Sequence, residues 1–341
     1  MDPRTSHREP SWGAEQSGLI TGFEFLPGQM PRPVDSDSAA ALLAGPEATD
    51  GRFLWLHFDL AHAGAVRWLE RHASMPEGFF EAMGSPVRST RVERDDEALV
   101  AVVNDVMFDF DFDPGDLATL WVGLDRHLVV TGRQQRLRSI DALRTRIKGG
   151  QPLASPMALL EHLLHEQCEV LTDIVRQVTQ RADQIEDRLL AGRSSVQRAA
   201  LGSMRRLLVR LQRLMAPEPA SLFRLLQHPP EWIAGDDLQA LREVNEEFLV
   251  VLSDMASLQE RIKLLQEEVA ATVNEATGRS LFMLTVMTVL ALPINILAGL
   301  FGMNVGGISL AQDPHGFWII AALIMIFAAA ATWLVVRRRD D

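Results

Sequence analysis

The 341 residues carry 33 Lys and Arg against 45 Asp and Glu, a formal net charge of −12 with an isoelectric point near 5.3. That balance argues against nucleic acid as a partner, because phosphate binding needs clustered positive charge, and it suits a protein that gathers cations. The length predicts about two domains with a core large enough to fold without staples. The single cysteine, Cys168, excludes an intrachain disulfide framework and a Cys-rich structural zinc site.

The N-terminal stretch MDPRTSHREPSWG has no apolar h-region, so no cleavable signal peptide is expected, and residues 1–17 read as a disordered polar arm. Residues 18–150 read as a cytoplasmic α/β domain. Phe53–Asp59 is a buried strand, Ala98–Phe108 and Leu117–Leu124 are β-rich, His127–Thr131 is a short strand, and Ala63–His72 has helical spacing. Residues 151–234 read as a helical region, with helices over Met157–Leu190 and Ser195–Met215 and a connection punctuated by Pro217, Pro219, Pro229 and Pro230. From 235 to 280 a stalk helix is expected. Leu241, Val244, Phe248, Val251, Met255, Leu258, Ile262, Leu265 and Val269 alternate spacings of three and four, a repeat that demands packing against other helices.

No charged residue occurs from Ser280 through Gln312. Residues 281–301 and 317–336 are apolar stretches of the length that crosses a hydrocarbon core of roughly 30 Å. Residues 302–316 form a Gly-rich extracytoplasmic loop and 337–341 a basic tail. Arg337, Arg338 and Arg339 follow the second span while the loop has no Lys or Arg, so the positive-inside rule places both termini in the cytoplasm of a bacterial-type inner membrane. Trp318 and Trp333 mark the ends of the second span as interface anchors. The fold class is therefore an α+β cytoplasmic domain followed by long helices, a stalk and two C-terminal transmembrane helices.

Within the first span Thr285, Thr288 and Asn295 fall within about 80° of arc on one helix face. Leu281, Leu292 and Gly299 share that side, Asn274 extends it backwards, and Glu260 and Glu267 continue it as an acidic vestibule, or are simply solvated. A polar group facing lipid without a partner costs about 2–7 kcal/mol, so this face meets protein or water. Two spans cannot enclose an aqueous path. A pore needs several chains with the first span innermost.

Leu292-Pro293 followed by Leu300-Phe301-Gly302-Met303-Asn304, a short loop, a second span and a basic end resembles the CorA superfamily of divalent-cation transporters, whose signature is the Gly-Met-Asn tripeptide. The resemblance covers the whole chain. The continuation Val305-Gly306-Gly307-Ile308 looks like the ZntB zinc-transporter branch, although Ser309 stands where that branch often has Pro. The resemblance implies a funnel-shaped homopentamer, no enzymatic activity and no ATP. It also implies an outer selectivity region of Gly302, Met303 and Asn304, and Zn²⁺ as cargo rather than resident cofactor, with Mg²⁺, Co²⁺, Ni²⁺ and Cd²⁺ as further candidates. A CorA-like magnesium and cobalt channel gated by cytoplasmic metal, and a non-conducting coiled-coil scaffold, are the alternatives.

Other residues carry metal-binding chemistry. His162, His165, Glu166 and Glu169 share a helix face near Cys168 and suit a regulatory Zn²⁺ site or an ordinary amphipathic surface. Asp109, Asp111, Asp113 and Asp116 interleave with Phe108, Phe110 and Phe112, a pattern that suits a hard-cation site on one side of a strand or a strand end with Phe inward and Asp outward that closes in a Pro114-Gly115 turn. Asp313 and His315 are the ionisable groups of the outer loop and could capture ions at its mouth.

Overall fold

A computed structural model describes residues 17–45, 51–85, 90–113, 115–191, 198–303 and 314–337. The chain divides into two compact units, Met1–Gln266 and Glu267–Asp341. The N-terminal arm to residue 16, Pro114, Asn304, residues 305–309, Asp313, Arg338 and Arg339 lie outside the described residues.

The first unit is built on one sheet. Its strands are β1 (Leu19–Phe25), β2 (Arg32–Pro33), β3 (Phe53–Asp59), β4 (Arg91–Asp95), β5 (Ala98–Val106), β6 (Leu117–Leu124) and β7 (Leu128–Arg133), in the order β2-β1-β3-β7-β6-β5-β4. Only β3 and β7 pair in parallel, with Leu56 opposite Val130; the remaining neighbours are antiparallel. β3, β5, β6 and β7 read as near-continuous apolar runs because both faces of the sheet are covered. On one face Leu54, Leu56, Phe58, Val102 and Trp121 pack with α1 (Ser36–Ala44), α2 (Ala65–His72) and α3 (Glu77–Gly84). Against the other lie α4 (Arg138–Lys148) and α5 (Pro156–Leu190). Ser139 of α4 donates its backbone N–H and hydroxyl to Asp105 at 2.9 and 2.5 Å, and the Gln167 amide of α5 donates to the Asn104 carbonyl at 2.6 Å.

α5 starts where its sequence says it should: Ser155 caps it by accepting from the Ala158 N–H at 2.9 Å, with Pro156 in the first turn. α6 (Arg198–Met215) follows. The proline-rich connection proves to contain a further helix, α7 (Pro217–Gln227). Its two prolines, Pro217 and Pro219, sit in the first turn, where their missing N–H groups break no helical hydrogen bond. The Asp-Phe segment also differs from the strand expected. β5 stops at Val106, because Asp113 and Asp116 accept the N–H groups of Gly115 (2.6 Å) and Asp111 (3.2 Å) and divert the backbone from the ladder. Phe108 and Phe112 are turned outward beneath the guanidinium groups of Arg136 and Arg181, at 3.9 and 3.6 Å.

The last two helices are α8 (Gly235–Phe301), 67 residues without a break at the expected stalk boundary, and α9 (Gly316–Arg337). The seam from Leu241 to Leu265 is buried throughout, and hydrogen bonds name its partners. Arg261 is held by Asp183 (2.7 Å) and Glu186 of α5, and Gln259 donates to Gln212 of α6 at 2.9 Å. The 3.5-residue repeat is therefore met inside the chain, by α5 and α6. Phe248, fully buried in that seam, is its largest side chain. Phe248→Ala should cost about 3–5 kcal/mol in thermal unfolding of the full-length protein; an unchanged unfolding temperature would mean the seam does not hold the helix.

Candidate functional site: the apolar half of helix α8

Asn274, Leu281, Thr285, Thr288, Leu292, Asn295 and Gly299 all lie on α8 in the second unit. The two threonines satisfy themselves: Thr285 donates to the Leu281 carbonyl and Thr288 to the Leu284 carbonyl, both at 2.9 Å. Thr277 and Ser280 do the same about two turns and one turn earlier, at 2.8 and 3.0 Å. Each hydroxyl thus points its proton into the helix and leaves an oxygen lone pair outward, which makes the face a row of neutral acceptors. Asn295 is different. It is exposed, and its amide carries two donor hydrogens as well as an acceptor oxygen. Two residues earlier Pro293 stands inside the helix with no N–H to offer the Val289 carbonyl. A Cβ at Gly299 would meet nothing within 4 Å, so no neighbour among the described residues requires glycine there.

The other side chains of this stretch are apolar and uncovered. Leu281, Leu284, Met287, Leu292, Ile296 and Leu300 are each exposed by more than half. α8 is the one helix among the described residues long and apolar enough to cross a membrane, and α9 is apolar from Gly316 to Ala330. The helix ends at Phe301, where the Gly302 N–H still reaches the Ala298 carbonyl at 2.9 Å and Met303 is exposed. The sequence places Asn304 next. Beyond it, the His315 carbonyl accepts from the Ile319 N–H at 3.1 Å in the first turn of α9. On α8 ahead of the apolar stretch Glu260 pairs with Lys263 at 3.0 Å, and Glu267 is exposed.

The histidine cluster of α5 takes another form than a metal site. Arg146 of α4 lies against both Glu166 and Glu169, the latter at 2.9 Å. His165 is hydrogen-bonded to Glu247 of α8 at 2.9 Å. His162 donates to the Ala158 carbonyl at 2.9 Å beside Glu161, and that carboxylate holds its imidazole above the usual histidine range. Among the described residues no group of three or more His, Cys, Asp or Glu side chains is placed to hold a metal ion. Burial pushes the Cys168 thiol upward, so it stays protonated and inert. Arg146 was not legible as the partner of these carboxylates, since it lies 20 residues away on another element.

Comparison with known proteins follows the same line. The family described as CorA-like Mg²⁺ transporter protein matches residues 50–338. "Divalent cation transporter CmaX" of Pseudomonas aeruginosa is 27% identical over 326 residues, covering 95% of this chain and 97% of that one. "Zinc transport protein ZntB" of Yersinia enterocolitica is 24% identical over 286 residues, covering 84% and 87%. The solved structure of full-length CmaX superposes with a TM-score of 0.80 at 25% identity, over 96% of this chain and 99% of that chain. The chain belongs to the CorA family: it is a divalent-cation transporter and not an enzyme, with the α+β domain and long C-terminal helices of the CorA fold.

The ion-pair assignment on α5 is testable. Glu166 is buried and Arg146 is its cation, so Arg146→Ala should destabilise the protein by about 1–3 kcal/mol. Zinc should leave the unfolding temperature of the wild type unchanged. A zinc-dependent rise in the wild type would restore the metal site.

Proposed function

We propose that this chain carries Zn²⁺ into the cytoplasm through the central pore of a homopentamer, in a bacterial-type inner membrane. The apolar half of α8 lines the path, α9 forms the outer span, and both termini lie in the cytoplasm. The observation that carries the reading is the α8 face itself, where neutral oxygen acceptors repeat along a helix whose remaining surface is apolar. A membrane anchor needs no such face, and an isolated polar group in lipid is costly.

The chemistry of that face sets how the ion travels. Zn²⁺ stripped of water seeks imidazole, thiolate or carboxylate, and no His, Cys, Asp or Glu occurs from Ser280 to Gln312. The cargo therefore crosses with most of its water shell, held by hydroxyl and amide oxygens, and the Gly302, Met303 and Asn304 segment forms the outer ring that meets it first. Leu292, on the same face, is the hydrophobic constriction. Any proton that accompanies the metal moves on water, since the span offers no ionisable carrier. Zinc is favoured by the likeness to proteins named ZntB and by Val305-Gly306-Gly307-Ile308 in place of an acidic outer segment. The family's description as Mg²⁺ transporters favours the second reading, a magnesium channel of the same architecture.

Asn304→Ala should abolish discrimination between zinc and magnesium in a liposome flux assay while the pentamer stays intact on size-exclusion chromatography. Asn295→Leu should lower zinc flux by about tenfold or more, which corresponds to roughly 1.4 kcal/mol of barrier. Wild-type flux in both variants would remove this face from the conduction path.

A further inference from the structure

We propose that Glu218 and Gln167 form a buried proton-binding site, in which Glu218 is a neutral carboxylic acid that donates to the Gln167 amide oxygen and fastens α7 to α5 and β5.

Both side chains are fully buried. The Gln167 Nε2 donates to the Asn104 carbonyl of β5 at 2.6 Å, and it reaches the Glu218 Oε2 and the Met215 sulfur, both at 3.3 Å. One hydrogen bond thus already joins the amide and the carboxyl. What remains is one oxygen on each: the Oε1 atoms of Gln167 and Glu218 are both buried and both without a hydrogen-bond partner. Two acceptors cannot satisfy each other. A proton on Glu218 turns one of them into a donor, and the acid and the amide, each with two polar atoms on one trigonal carbon, then bond in both directions. One proton removes two orphaned buried oxygens.

Among the described residues the surroundings offer no cation to make the charged form tolerable. On β5 the nearby Asp105 carboxyl adds a like charge. On α5 the Cys168 thiol is buried and protonated. On α8 Glu247 is spent on His165. On β4, which packs against α7, Arg91 is paired with Glu93 at 3.6 Å. On α4 Arg138 acts on Asp105, not on Glu218. Among the described residues no backbone N–H is donated to Glu218, although it lies in the first turn of α7. Burial, then Asp105, hold its carboxyl well above the usual range, opposed by the single amide bond from Gln167. Asp105 is the instructive contrast. It accepts three hydrogen bonds, two from Ser139 and one from the Val106 N–H at 2.7 Å, and burial raises it only to about 6. Of two buried carboxyls, the one with three donors takes the charge and the one with a single donor keeps the proton.

A group that binds its proton more tightly folded than unfolded stabilises the protein fully below its unfolded value. That contribution is lost as pH rises through the folded value. The site therefore loosens α7 from α5 as the medium becomes alkaline, whatever ion the protein carries.

The test uses the full-length protein in detergent, as wild type, Glu218→Gln and Glu218→Ala. Glu218→Gln supplies the donor permanently and cannot titrate. Between about pH 5.5 and 8.5 the wild type should lose about 2–4 °C or more of unfolding temperature relative to Glu218→Gln. The infrared difference spectrum of wild type minus Glu218→Gln at the acid end should show the carbonyl stretch of a neutral carboxylic acid. Parallel pH curves, or no such band, would overturn the proposal, because Asp105 is present in both proteins and cancels. If Glu218→Ala fails to fold, the comparison of the other two still decides.

Discussion

The unbroken length of α8 is the constraint on which the rest of the molecule depends. Its first part is held by a seam of side chains buried against α5 and α6, and its register is pinned by Arg261 on Asp183 and Glu186. Farther along the same helix Thr285, Thr288, Leu292 and Asn295 fall on one side of it, because successive side chains follow one another at fixed angular steps. Packing along residues 241–265 and a polar face along residues 274–299 are thus both written into one continuous helix.

Polar groups in the apolar part are arranged so that few demand anything of their surroundings. Ser280, Thr285 and Thr288, like Thr277 just before them, give their protons to carbonyls four residues back. They contribute acceptor oxygens at little cost to insertion, and they leave Asn295 and the Pro293 break as the departures from an ordinary apolar helix. Hard, weakly binding oxygens are what a hydrated divalent ion can pass quickly. A site of histidines or carboxylates would hold zinc and slow its release.

Much of this was legible in the sequence, for identifiable reasons. The strands at Phe53–Asp59 and Leu117–Leu124 were visible because burial on both faces forces continuous apolar runs. The α8 repeat was visible because helix packing imposes a fixed period. Where the reading went astray, nonlocal or competing interactions decided. The prolines before α8 suggest an irregular connection, yet two of them begin α7, where no N–H is needed. The Asp-Phe alternation suggested a strand, but the carboxylates captured loop N–H groups and arginines from distant helices covered the rings. The carboxylates near His162 and His165 suit a metal site or an ordinary amphipathic surface, and Arg146 of another helix holds two of them. Gln167 gave a signal that passed unread: a polar residue in register with Leu160, Leu163, Leu164, Leu171 and Ile174 on the buried side of α5. A polar group in an apolar stripe announces a buried partner, although not which one.

The central claim, that the chain moves zinc through its membrane part, is tested most directly by zinc influx into liposomes holding the purified protein. An internal zinc-sensitive dye reports the rate, lipid-only vesicles set the leak, and magnesium competes in the same assay with and without a pH gradient. The account predicts zinc influx well above leak, faster when the outside is acidic and resistant to magnesium. Influx that magnesium blocks and pH leaves untouched would contradict the zinc assignment, and no influx of either ion would contradict conduction itself.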